Sequence, residues 1–209
     1  MKRIDSGNSS FEKIRQSGNI YIDKTKYLYN LLTDGRTYYF LSRPRRFGKS
    51  LTLSTLDAIF KGKRELFKGL YIDSTDYDWK EYPVIHIDFS KCARSTSEEI
   101  KKWINNQIMG IATLYNIELK EEDGFDSNLD ILINKCSSKG KVVILIDEYD
   151  SLLNNNINNE NIEGIREVLR GFYSVLKASS ANIRFCFITG VTKFSKMSIF
   201  SSMNNLVDI

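Results

Sequence analysis

Four continuous apolar runs punctuate the chain: Tyr38 to Leu41, Pro83 to Ser90, Lys141 to Asp150 and Ile183 to Gly190. Runs of this length with little alternation suit strands buried on both faces of a parallel sheet. Between them apolar residues recur every three or four positions, the spacing of helices with one inward face. Ser9 with Glu12 three residues later and then Ile14 reads as a capping box on a short helix ended by Gly18. Asp23 is placed to cap a second helix that carries Tyr27, Leu28, Leu31 and Leu32 inward and stops at Asp34-Gly35.

The same spacing predicts a helix after residue 50, with Leu53, Leu56, Ile59 and Phe60 inward, and a helix over 96–115 capped by Ser97 or its neighbour. Further helices are expected over 128–136 and over 162–177, the last with Ile165, Val168, Leu169, Phe172 and Leu176 inward and Arg166 and Arg170 on another face. Residues 61–77 read as turns with a short helical piece, and 195–209 as a short helix and a partial strand. Strand and helix recur along the chain, and parallel neighbours need helical crossovers. The expected fold is therefore α/β, three layers αβα with a central, mostly parallel sheet.

Chemistry concentrates at two strand ends. The first apolar run passes through Ser42-Arg43-Pro44-Arg45-Arg46-Phe47 into Gly48-Lys49-Ser50-Leu51 at the start of a helix. Backbone N–H groups at a helix N-terminus lack partners, and the aligned peptide dipoles add partial positive charge, so phosphate oxygens settle there. Gly48 lets the backbone approach a ligand, Lys49 reaches its β- and γ-phosphates, and the Ser50 hydroxyl ligates Mg²⁺. The usual spacing is G-x-x-x-x-G-K-[ST], and Arg43 stands at the first glycine position. Gly-Lys-Ser alone also fits an ordinary surface helix cap. What favours the phosphate loop, and with it a fold of the phosphate-loop (P-loop) NTPase type, is the third run, which ends in Asp147 and Glu148: one acid to hold the metal, usually through water, the next to polarise the attacking water.

Four segments together resemble the AAA-ATPase-like family of bacterial proteins: Tyr21-Ile22-Asp23-Lys24-Thr25, the loop from Arg43 to Ser50, Ile146-Asp147-Glu148-Tyr149-Asp150, and Ile188-Thr189-Gly190-Val191-Thr192-Lys193-Phe194-Ser195. In that family the arginine-rich loop replaces the glycine-rich one. The resemblance covers nearly the whole chain and implies an ATPase. Its nucleotide would be held by Arg45, Arg46, Phe47, Gly48, Lys49, Ser50 and Leu51, its Mg²⁺ by Ser50 and Asp147, and its chemistry carried by Lys49, Glu148 and Thr189, the last at the sensor position, with Lys193 a weaker candidate. Thr189 also fits a residue that merely satisfies strand-end backbone groups. ATP is favoured over GTP by the resemblance, and no N-K-x-D motif is present.

The resemblance further implies that 1–36 form a helical segment near the nucleotide base, with Tyr21, Asp23 and Lys24 as candidates for the base end. Simple packing of Tyr21 and Ile22 is the commoner fate of such residues. Residues 37–209 would be the ATPase core, cut short at the C-terminus, because family members commonly continue into a domain resembling restriction-endonuclease-type nucleases. That domain is an expected partner in a longer protein, and a homo-oligomer is compatible with the sequence. Of the three arginines, Arg43 is expected to pair with an acid and shape the loop, and Arg46 to contact nucleotide.

Length and composition narrow the field. Two hundred and nine residues suit one large domain, and a net charge of +4 is not lopsided enough to mark a nucleic-acid binder. DNA-phosphate contact by Arg43, Arg45, Arg46 and Lys49 is the weakest of three readings. The second is a non-hydrolysing nucleotide switch or scaffold. Three widely spaced cysteines read as reduced thiols, and no metal spacing of Cys and His exists. Residues 1–10 lack the apolar core of a signal peptide and no run is long enough to span a bilayer, so a cytoplasmic protein is expected.

Two single residues and one loop complete the reading. His86, the only histidine, falls mid-strand and reads as a hydrogen-bonded structural residue. Asp88 lies near a strand's C-terminal end, where ligands gather on open sheets, and local turn chemistry is the alternative. The asparagine-rich segment 154–161 reads as a surface loop, or as a mobile lid at the catalytic edge.

Overall fold

A computed structural model describes residues 7–138, 140–191, 200 and 205–209. In chain order it shows α1 (Phe11–Gln16), α2 (Thr25–Thr33), β1 (Tyr38–Ser42), α3 (Lys49–Phe60), β2 (Val84–Asp88), α4 (Ser97–Leu114), α5 (Gly124–Ser137), β3 (Val142–Asp147), α6 (Ser151–Asn155), α7 (Ile162–Ala178), β4 (Ile183–Gly190) and β5 (Val207–Asp208). Short 3₁₀ turns fill several connections. Among the described residues the sheet has five strands in the order β2-β3-β4-β1-β5, and every pairing is parallel. This is the expected α/β fold.

Alternation along β3 explains the three layers. Val142, Ile144 and Ile146 point to one core with Ile104, Leu132 and Phe172, whereas Val143 and Leu145 point to another with Leu28, Leu53 and Phe67. Helices α4, α5 and α7 therefore cover one face, and α1, α2 and α3 the other. Every residue of β3 is buried, which is why its run carries no polar position before Asp147.

The helix starts differ from expectation by small steps. Ser10, not Ser9, caps α1, accepting from the Lys13 N–H at 3.3 Å. For α4 the cap is Thr96, the neighbour of Ser97 that the sequence allowed, accepting from Glu99 N–H. Helix α5 starts at Gly124, four residues before the expected 128, because Asn128 is a buried interior residue. Its amide donates to Asn105 Oδ1 at 2.9 Å and to the Lys120 carbonyl at 2.7 Å.

Three expectations are corrected. Tyr27 does not point inward: it is 70% exposed, and Thr25, Leu28 and Leu32 form the buried face of α2. His86 is exposed rather than a hydrogen-bonded core residue; β2 ends the described sheet, and beyond Val84 that face of the strand is open. The asparagine segment is not a detached lid. Asn156 is buried and donates to the carbonyls of Arg94 (3.1 Å) and Leu152 (2.8 Å), and Asn159 donates to the Ser95 carbonyl at 2.7 Å. Lys193, and most of 195–209, lie outside the described residues.

Candidate functional site

Strand order brings the chemistry together. β4 lies between β1 and β3, so Ser42 pairs with Gly190, Leu41 with Thr189, and Ile146 with Ile188, while Asp88 pairs with Asp147 on the far side. The loop after β1, the acids after β3 and Thr189 on β4 thus meet at the C-terminal edge of the sheet. Residues about 150 positions apart in sequence become neighbours because two parallel strands end at the same level.

Gly48 caps α3 with φ 78°, a left-handed conformation that a side chain would strain, and Arg46 is also left-handed at φ 68°. Lys49 opens the helix and is buried. Its ammonium folds back over the loop, donating to the carbonyls of Arg43 (3.0 Å) and Pro44 (3.2 Å). The loop is thereby wound round one cation, with the first N–H groups of α3 at its centre. Ser50 and Leu51 are half-buried behind it, Leu51 against the α3-side core. Arg45, Arg46 and Phe47 are exposed, and neither Arg45 nor Arg46 forms an ion pair with a described residue.

Arg43 departs from expectation. It bonds no acidic side chain among the described residues; its guanidinium donates to its neighbour's carbonyl, Ser42, at 2.7 Å and to the Ile209 carbonyl at 3.2 Å. The loop's shape comes instead from Lys49 and from the Arg43 N–H on the Gly190 carbonyl.

Across the edge, Asp147 is buried and accepts a hydrogen bond from the Thr189 hydroxyl. The same hydroxyl accepts from the Glu148 N–H at 3.2 Å, and the Tyr149 N–H donates to the Thr189 carbonyl at 3.0 Å. Glu148 stands at φ 50°, left-handed, which turns the chain sharply so that consecutive acids face different ways. Burial raises the Glu148 carboxyl above its ordinary range and the Asp147 charge adds to this, while Lys49 opposes it. Asp88 contributes more weakly to the same field; its own carboxylate caps the local turn, accepting from the N–H and hydroxyl of Ser90.

Two contributions went unassigned in the sequence. Asp150, buried, accepts from the Val191 N–H at 3.0 Å and holds the backbone at the end of β4. Gly190 packs so closely on Tyr149 that an added Cβ would lie 2.3 Å from a ring carbon. Neither follows from spacing, since each depends on a contact some forty residues away.

The polar atoms of Tyr21, Asp23 and Thr25 are engaged within the fold. Asp23 accepts from the N–H and hydroxyl of Thr25 and, through its other oxygen, from the Tyr71 N–H at 2.7 Å. Thr25 in turn accepts from Ile72 N–H, and Tyr21 packs edge-on against Phe11. Only Lys24 of the three base-end candidates faces the loop, its ammonium 3.9 Å from where a Gly48 Cβ would sit.

The sequence profile of the family described as "Predicted AAA-ATPase" matches residues 5–200. An uncharacterized protein encoded in the vnfD 5′ region of Azotobacter chroococcum mcd 1 is 39% identical over 219 aligned positions, which take in 100% of this chain and 41% of that protein. The chain thus spans about two fifths of the length of this relative. The chain belongs to the predicted AAA-ATPase family. No helix among the described residues is long and apolar enough to cross a membrane.

Proposed function

We propose that this AAA-ATPase-like domain binds ATP with Mg²⁺ across the loop 45–51 and hydrolyses it slowly, as the regulatory ATPase part of a longer protein. The observation that carries the reading is the Thr189 hydroxyl shared between Asp147 and the Glu148 backbone, directly across the sheet edge from Lys49. Phosphate oxygens would take the N–H groups at the start of α3 and the Lys49 ammonium, releasing it from the Arg43 and Pro44 carbonyls. Arg45 and Arg46, exposed beside these donors, would contact the nucleotide.

The residues present fit a magnesium site. Among the described residues no cluster of three or more His, Cys, Asp or Glu forms a protein-only metal cage. One buried acid, Asp147, and the Ser50 hydroxyl suit a small hard cation that draws its other ligands from phosphate and water. Magnesium, held there by Ser50 and Asp147, would neutralise charge on the phosphate oxygens. Glu148, with its carboxyl raised by burial, would polarise the attacking water. Thr189 holds both acids in place.

Residues 1–36 lie over the base end in this reading, and preference for ATP rests on the family resemblance. The greater length of the relative leaves room for a further region as the partner that nucleotide state would control, a C-terminal one by the family resemblance, and a second copy of the chain is compatible with this reading. Phosphate release is the test: wild type should turn over MgATP, and Glu148→Gln should fall by about 100-fold or more while still binding. Turnover unchanged in Glu148→Gln would remove its role. Binding by wild type without turnover would make the domain a switch instead.

A further inference from the structure

A cavity of about 430 Å³ lies beside the loop, between α2 and the sheet. Its floor is Leu41 and Phe187, and its walls include Lys24 and Tyr27 from α2 and its cap, with Phe47 and Thr52 from the loop and the first turn of α3. The cavity and the phosphate loop share a wall: Phe47 precedes Gly48, and the Lys24 ammonium both borders the cavity and sits 3.9 Å from the Gly48 Cβ position. Two aromatic side chains stand unusually open at its rim, Tyr27 at 70% and Phe47 at 63% exposure. None of the residues lining it is acidic.

An apolar floor, exposed rings and a cationic border directly continuous with a phosphate loop describe the receptor for a flat, π-faced group tethered to phosphates. The volume falls within the range of small-molecule sites. We propose that this cavity takes the base of the nucleotide whose phosphates the loop holds, with Tyr27 and Phe47 as its stacking faces and Lys24 at the junction of base and phosphate ends. The inference rests on the loop being a nucleoside triphosphate site. It moves the base end away from Tyr21 and Asp23, whose polar atoms are already engaged with Thr55 and with Thr25 and Tyr71.

Calorimetric titration of the 209-residue chain with MgATP and, separately, with magnesium tripolyphosphate tests this. Tyr27→Ala and Phe47→Ala should each weaken MgATP about tenfold, and Tyr27→Ala, which lies outside the loop, should leave tripolyphosphate within about twofold of wild type, since stacking acts only on the base. Tyr27→Phe should bind MgATP as wild type does. Both side chains are exposed, and unchanged tripolyphosphate binding reports an intact loop. If the alanine variants keep wild-type affinity for MgATP, or if wild type binds tripolyphosphate as tightly as MgATP, the cavity is not the base site although the phosphate loop stands. If wild type binds neither ligand, this proposal and the nucleotide reading fall together.

Discussion

Thr189 and Asp147, 42 residues apart in sequence, share a buried hydrogen bond at the ends of adjacent parallel strands, with the Thr189 hydroxyl as donor. That hydroxyl has one hydrogen, and it is committed to the acid; its lone pairs receive the Glu148 N–H. The Thr189 hydroxyl therefore ties the Asp147 side chain to the Glu148 backbone, and in the proposed function it positions the acid pair.

Thr189→Val should consequently leave one buried acceptor and one N–H without their partner. A loss of about 1–3 kcal/mol in urea-denaturation stability is expected, with Thr189→Ser recovering most of it. If the hydroxyl matters only for stability, MgATP turnover in Thr189→Val at temperatures well below its unfolding should match wild type; the account predicts that it falls while MgATP affinity is kept.

Gly190→Ala meets a hard contact. The new Cβ would approach two ring carbons of Tyr149 at 2.3 and 2.5 Å, and the Tyr149 backbone is tied to the Thr189 carbonyl. Destabilisation of about 3 kcal/mol is expected from overpacking. Tyr149→Phe should not relieve it, because the contacted atoms are ring carbons rather than the hydroxyl; chemical denaturation of the single and double variants decides.

Asp23 gives a pH dependence. Burial alone would raise its carboxyl, but hydrogen bonds from the Tyr71 N–H and from the Thr25 hydroxyl and N–H outweigh this and hold it below the ordinary carboxylate range. A depressed folded value means that the unfolded chain binds the proton more readily, so this contribution is present above the ordinary value near 3.8 and is lost as pH falls through the folded one. Thermal melts of wild type and Asp23→Asn should therefore diverge at neutral pH, with wild type higher, and converge in acid. A gap that does not change with pH would show that ionisation of Asp23 is irrelevant.

Much of the architecture was legible because β3 and β4 are buried on both faces and so leave uninterrupted apolar runs. One cap slipped by a residue where hydroxyl side chains are adjacent, at Ser9-Ser10, whereas at Thr96-Ser97 the pair was legible and the structure picks Thr96. The start of α5 was hidden by Asn128, which looks like a loop residue until its partners Asn105 and Lys120 are in place. Tyr27 was misread as core because an aromatic beside Leu28 at helical spacing looks inward, whereas Thr25 takes that face. At the site, the residue types of the loop and of the strand ending in Asp147 were readable. Their mutual arrangement was not: the Lys49 contact with the Arg43 and Pro44 carbonyls and the left-handed Glu148 are products of backbone geometry that spacing does not encode.

The central claim, that the loop round Lys49 is a nucleotide phosphate site, is tested most directly by thermal-shift titration of wild type and Lys49→Ala with MgATP. Ligand at about a hundred times its dissociation constant stabilises a native state by roughly 2.7 kcal/mol. The account predicts a clear upward shift for wild type that Lys49→Ala abolishes and that Mg²⁺ alone does not produce. No shift in wild type, or an equal shift in Lys49→Ala, would contradict it.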